Sequence, residues 1–177
     1  TPWGWGLDDW GFPEGQRELP PREALNDSRI EEIAREYAEL RYQLIPYTYT
    51  LAREAFDTGM PLIRALWLHY PEDELARGNG SEYLWGRDLL IAPVFQQDAG
   101  TRELYLPEGL WYDWWTNEAE TGGRTVARSV DLATMPIYAR AGAIIPFDPV
   151  RQYMEEVVDG PTTLKVFRGA DGEFTLY

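Results

Sequence analysis

Between residues 28 and 57, Ile30, Ile33, Tyr37, Leu40, Leu44, Tyr47 and Leu51 recur at alternating steps of three and four. That spacing places all of them on one face of a helix. Ser28 followed by Glu31 fits a capping box and marks the helix start. Pro46 falls inside the pattern, removes a backbone donor and disfavours helical geometry at Ile45, so a kink or break is expected there. Gly59 is a natural stop. The opposite face carries Glu32, Arg35, Glu36, Glu39 and Arg53, which suits solvent. Little within residues 1–26 can cover the apolar stripe, so a partner outside this chain is expected.

Beyond Gly59 the period shortens. Residues 61–70 read as a strand, and residues 72–86 as a short helix or turns around Gly78 and Gly80. Leu89 to Phe95 is a continuous apolar run interrupted by Pro93, the pattern of a buried strand. Glu103–Leu106 and Trp111–Trp114 flank Pro107-Glu108-Gly109 and predict a hairpin-like turn. Further strands are predicted at Arg124–Val130, Ile137–Arg140 and Ala143–Pro146. Thr163–Phe167 and Glu173–Tyr177 are expected to pair across Arg168–Gly172. Closely spaced strands with Gly and Pro turns indicate an antiparallel sandwich. Residues 1–26 hold Trp3, Trp5 and Trp10 among glycines and prolines with no sustained period, and read as a long loop. The fold class is therefore α+β, with a boundary expected near residues 70–85.

Composition narrows the function. Acids outnumber Lys and Arg by 30 to 16, a net charge of −14. Phosphate neutralisation needs basic patches, so neither nucleic acid nor an anionic membrane is an expected partner. No run of about 18 apolar residues is present. With 0 Cys and a single His, His69, neither a zinc cluster nor a disulfide framework can be built, and no cofactor is expected. Tryptophan and tyrosine are abundant, 8 and 11 residues. Flat rings pack either in large cores and domain seams or against the apolar faces of sugars, and composition leaves both readings open. Thr1 is not Met, and the strand predicted at Glu173–Tyr177 runs to the last residue. Both ends are expected to be cuts.

Individual residues divide in the same way. Asp8-Asp9 is a tempting carboxylate pair, but adjacent side chains in extended backbone point apart. A polar loop is the expected role. Arg64 and Arg140 lie in apolar strands, where a buried guanidinium needs a carboxylate. They are expected to form structural ion pairs across a seam. Asp113 is expected to hydrogen-bond at a strand end, and His69 to be a satisfied, half-buried imidazole. Gly78-Asn79-Gly80 lacks the strand, helix and lysine of a phosphate loop.

Six stretches, in order, resemble glycoside hydrolase family 31. Leu40–Tyr49 resembles the element that begins LRY and ends PY.Y. Gly59–Arg64 resembles its G-x-P-x-x-R segment, and Tyr70–Asp73 its YP-x-D. Leu84–Val94 resembles G-x-x-L-L-V-A-P-V. Tyr105–Gly109 followed by Trp111–Asp113 resembles YLP-x-G-x-WYD. Met135–Pro146 resembles P-x-x-x-R-x-G-x-x-I-P. Near Thr1–Glu14 the sequence departs from that pattern, which leaves the subfamily open.

The resemblance implies that residues 1–75 close a (β/α)8 barrel as a loop plus its terminal helix. Residues 76–155 would form a proximal β-sandwich, and residues 156–177 would open a distal one. The helix stripe would then cover the closing strands of the barrel. The resemblance further implies a retaining α-glycosidase, in which one Asp attacks the anomeric carbon and another protonates the leaving oxygen. In the family these residues lie upstream of everything seen here, so no catalytic residue is assigned within the chain, and the chain alone is expected to be inactive. The substrate would be an oligosaccharide or α-glycoside bound through the missing barrel. Trp3 and Trp5 would follow the last barrel strand and are candidates to line the outer substrate site, with seam packing as the alternative. Lyases and transglycosylases share this texture, so the reaction outcome stays open. The rival reading is a non-catalytic carbohydrate-binding or structural β-sandwich module. It requires Trp111, Trp114 and Trp115 to form an exposed platform.

Overall fold

The computed structural model describes residues 28–177. Trp3, Trp5 and Asp8-Asp9 lie outside the described residues. Two compact units divide the chain after Glu39.

The helical stripe forms two helices. α1 spans Ser28–Gln43 and α2 spans Ile45–Thr58. Leu44 separates them, and Pro46 occupies the first turn of α2. Proline there cannot donate to the Tyr42 carbonyl, so the helical ladder loses one rung. The interruption lasts only one residue. Leu44 N–H still donates to the Leu40 carbonyl at 3.0 Å, and Thr48 N–H to the Leu44 carbonyl at 2.9 Å. Gly59 ends α2 in the left-handed conformation, φ +78°, where a Cβ would be strained. Within α1, Arg35 pairs with Glu31 one turn away on an exposed face.

Strands β1 (Ile63–Arg64), β2 (Tyr83–Trp85), β3 (Leu89–Ile91), β8 (Ile137–Arg140), β5 (Leu110–Asp113) and β6 (Ala119–Thr121) form a six-stranded sheet in the order β1-β2-β3-β8-β5-β6. Every neighbouring pair is antiparallel. Strand alternation sends successive side chains to opposite faces, and both faces of this sheet are covered. Leu84, Leu90, Trp111 and Tyr138 face Leu104, Leu106 and Val126. Those three come from a two-stranded ribbon of β4 (Thr101–Leu106) and β7 (Arg124–Ser129). On the other side Leu89, Ile91, Ile137 and Ala139 meet Leu44, Tyr47 and Leu51, together with Ile145 and Phe167. Ile145 belongs to a second ribbon, β9 (Ile144–Phe147) with β10 (Thr163–Val166), and Phe167 directly follows it. The antiparallel sandwich is thus present, with a helix sharing its second face.

Several expectations need correction. Residues 61–70 are not one strand. Only Ile63–Arg64 is extended, and Leu66–Leu68 turn as a 3-10 helix. The turn buries Leu66 completely while leaving Trp67 half-exposed. The expected hairpin around Pro107–Gly109 is also absent, because β4 pairs with β7 whereas β5 pairs with β6 and β8. Pro107–Gly109 is instead a corner that carries the chain from the ribbon into the six-stranded sheet. It is pinned by Gly122 N–H to the Gly109 carbonyl and Trp111 Nε1–H to the Pro107 carbonyl. Glu173–Tyr177 is not a strand either. It lies along α2, with Phe174 stacked on Tyr47 and Tyr177 on Tyr49. Finally, Leu44, Tyr47 and Leu51 pack on this chain's own sheet rather than on an outside partner. Only the first part of the stripe differs: Ile30 is half-exposed.

Candidate functional site

A retaining glycosidase needs two facing carboxyl groups about 5–5.5 Å apart, so the buried acids come first. Glu82, Asp88 and Asp113 are buried. Asp113 ends β5. Its Oδ1 accepts from Trp115 N–H and Thr116 N–H, and its Oδ2 accepts from Arg128 Nε at 2.5 Å. This is the strand-end hydrogen bonding expected of it, strengthened by an ion pair. Asp88 lies between β2 and β3 and accepts from Arg140 Nε at 2.7 Å. Burial raises its carboxyl above the usual range, and the Arg140 charge opposes that rise. Glu82 accepts from Tyr105 N–H at 3.0 Å, with Arg102 3.9 Å away. Burial raises its carboxyl as well, and its Oε2 has no hydrogen-bond partner. Asp88 and Asp113 therefore hold strand connections to arginines. Among the described residues no group of three or more His, Cys, Asp or Glu is placed to hold a metal.

The arginines behave as buried cations must. Arg64, 1% exposed, bonds Glu54 of α2 at 2.5 Å, the Pro61 carbonyl at 2.7 Å and His69 Nε2 at 3.0 Å. Because Arg64 donates to it, Nε2 is the acceptor nitrogen of a neutral ring. Burial and the Arg64 charge lower the His69 pKa and keep it in that form. Arg64 thus ties β1 to α2, and Arg140 ties β8 to the β2–β3 turn.

The required tryptophan platform does not form. Trp111 and Trp114 are buried and only Trp115 is exposed. Trp111 packs between the sheets, and Trp114 lies beneath Phe147 and Phe167, with the Lys165 ammonium 4.1 Å from its ring. These rings face protein on both sides.

One surface concentrates aromatic rings and unpaired polar atoms. A cavity of about 340 Å³ is lined by Arg41, Tyr42, Ile45, Thr48, Tyr49, Ala52, Trp85 and Met154. It lies beside α2, where the helix meets Trp85 of β2. Two polar atoms in this wall, Thr48 Oγ1 and Trp85 Nε1, are buried and have no hydrogen-bond partner. Tyr47 anchors the wall from beneath. Its hydroxyl donates to the Trp85 carbonyl at 2.8 Å, and burial raises its pKa well above the usual phenol value. No sequence pattern singled out Thr48 or Trp85. A second stripe at Ile45, Tyr49, Ala52 and Phe56, again stepping by four and three, was a readable signal.

Comparison with known proteins bears on what this arrangement belongs to. The family model for the glycosyl hydrolase family 31 C-terminal domain matches residues 59–145, from the end of α2 into β9. The chain is 37% identical over 147 residues to alpha-glucosidase 2 of Bacillus thermoamyloliquefaciens, covering 83% of this chain and 19% of that one. It is 34% identical over 153 residues to an alpha-xylosidase of Saccharolobus solfataricus, covering 83% and 20%. The fold superposes on a Flavobacterium johnsoniae GH31 dextranase complexed with glucose at a TM-score of 0.78 and 42% identity, covering 80% of this chain and 18% of that one. The chain thus spans a fifth or less of each of these proteins. A matched domain model and relatives spread over most of its length agree with the six motifs: the chain belongs to glycoside hydrolase family 31 and carries that family's C-terminal domain.

Proposed function

We propose that this chain is the C-terminal part of a retaining α-glycosidase acting on α-glucosides or α-xylosides, with the catalytic Asp pair upstream. The observation carrying this reading is the chain's resemblance to α-glycosidases together with the structural employment of its buried acids. Asp88 and Asp113 are neutralised by Arg140 and Arg128. A nucleophile and a general acid need to face a substrate instead. In this reading residues 1–75 close the (β/α)8 barrel and residues 76–155 form the proximal sandwich, to which residues 156–177, read from sequence as the start of a distal domain, add β10 and Phe167. Joint-like packing supports that role, since α2 and β1 are bound into the sandwich through Leu51, Tyr47 and the Arg64–Glu54 pair. Trp3 and Trp5 are proposed to line the outer substrate site. The chain's part is to brace the barrel, and alone it does not catalyse.

The test compares this chain with the longer protein that contains it, using p-nitrophenyl α-glucoside and α-xyloside. The longer protein is expected to turn over at least one of them with retention at the anomeric carbon, and the chain neither. Turnover by the chain itself would place the chemistry inside it. Inversion of configuration would overturn the double-displacement mechanism.

A further inference from the structure

Between β3 and β4 the chain puts an aromatic ring into solvent: Phe95 is 69% exposed. Beside it lies a cavity of about 450 Å³, bordered by Phe95, Gln96, Ala99, Thr101, Arg102 and Glu103. That volume falls within the range of small-ligand sites, about 300–1,000 Å³. The chain leaves β3 through Pro93, turns at Asp98 with φ +56°, and enters β4 at Thr101. Arg102 braces the turn. Its Nε donates to the Pro93 carbonyl at 3.0 Å, its Nη2 to the Ser81 carbonyl and hydroxyl at 3.0 Å each, and its Nη1 to the Glu103 carbonyl at 2.5 Å. The guanidinium carbon lies 5.8 Å from the centre of the Phe95 ring. Gln96, Thr101 and Glu103 are exposed, and no hydrogen bond among the described residues engages their side chains.

We infer that this cavity binds a neutral oligosaccharide, with Phe95 as the platform for a sugar ring and Gln96, Thr101 and Glu103 as partners of its hydroxyls. The inference rests on the proposed function above, which makes α-linked sugars the substrate class. The chemistry of the wall selects the ligand. A flat ring packs against the apolar face of a pyranose. The Gln96 amide offers donors and an acceptor, the Thr101 hydroxyl both, and the Glu103 carboxylate acceptors, which together suit neighbouring hydroxyl groups. An anion fits poorly, because Arg102 already donates to four oxygens and the Glu103 carboxylate repels negative charge. A cation would meet the Arg102 guanidinium. A wholly apolar ligand would cover three polar side chains and leave them without partners. Phe95 thus makes the aromatic contact that Trp111 and Trp114, being buried, cannot make.

Carbene labelling of the longer protein, read by mass spectrometry, tests the site. Phe95 should be labelled in the free protein and should lose its label as maltotriose or isomaltotriose is added. Labelling that neither trisaccharide changes overturns the inference. So does a Phe95 that takes no label in the free protein, since the ring is then covered by protein. Loss of label with inorganic phosphate but with neither sugar assigns the cavity to an anion and overturns it too. The double variant Gln96→Ala, Glu103→Ala removes two exposed hydrogen-bonding groups and leaves the Phe95 reporter in place. It should raise the half-protecting sugar concentration about tenfold. An unchanged concentration shows that the cavity wall does not hold the sugar and overturns the inference. Turnover of p-nitrophenyl α-glucoside and α-xyloside by the longer protein is measured in parallel, and the double variant should leave it unchanged. Turnover with Phe95 unprotected removes the site and leaves the proposed function standing, whereas protection without turnover does the reverse.

Discussion

Gly86 reports on how tightly α2 is seated, and Gly86→Ala gives the sharpest prediction. Gly86 lies in the turn between β2 and β3 at φ +66°. A Cβ built there would lie 2.5 Å from the Tyr47 hydroxyl oxygen and 2.8 and 2.9 Å from the two Leu51 methyl carbons. Neither neighbour can swing away cheaply, since Tyr47 is fully buried and hydrogen-bonded to the Trp85 carbonyl, and Leu51 is buried in the core. A left-handed conformation costs an L-residue about 1–2 kcal/mol. Overpacking adds about 1–3 kcal/mol. Together, Gly86→Ala should destabilise by about 2–5 kcal/mol. Leu51→Ala alone should cost about 2–5 kcal/mol through lost burial and a cavity. Two of the three close contacts come from Leu51, so the double variant should be less destabilised than the sum by about 1 kcal/mol or more. Urea unfolding followed by tryptophan fluorescence measures all four proteins, with unchanged slopes expected. Additivity within about 0.5 kcal/mol would refute the packing argument. A neutral Gly86→Ala would show that α2 does not press on this turn.

Two further predictions concern the buried acids. Asp113→Asn keeps an oxygen for the Trp115 and Thr116 amides but removes the charge facing Arg128, so it should cost about 1.5–3 kcal/mol. An unchanged urea midpoint would show the Arg128 pair to be idle. Glu82 has a folded pKa raised by burial, so the folded state binds its proton more tightly than the unfolded state does. Stability from this group is present below the unfolded pKa and falls as pH rises through the raised value. Arg102, the Tyr105 amide and Asn79 face it and only partly offset the burial. Glu82→Gln should therefore lose less stability than the native protein between pH 4.5, the reference value, and neutrality. Parallel stability–pH curves would show that Glu82 titrates normally.

Local chemistry explains which elements were legible. The three-and-four spacing of Ile30 to Leu51 marked the helix, and Pro46 marked its interruption, because both act through neighbouring backbone. Strands at Leu89–Ile91, Arg124–Ser129 and Ile137–Arg140 were readable from short apolar or alternating runs. Arg64 and Arg140 were expected to find carboxylates because a buried guanidinium has few other options. The strand expected at Glu173–Tyr177 failed for a tertiary reason. Phe174 and Tyr177 find rings on α2 to stack against, so the segment lies on the helix.

The sequence by itself determined the long broken helix and most of the strands, the −14 charge that argues against nucleic-acid partners, and the family, because periodicity, charge and collinear motifs are properties of the chain. Tertiary structure decided the pairing of β4 with β7, the burial of Trp111 and Trp114, and which side of α2 faces the sheet. Apolar residues lie on two sides of α2, and periodicity cannot rank two stripes on one helix. Only the surface offered by Leu89, Ile91, Ile137 and Ala139 selects between them, burying Tyr47 and leaving Phe56 in the open.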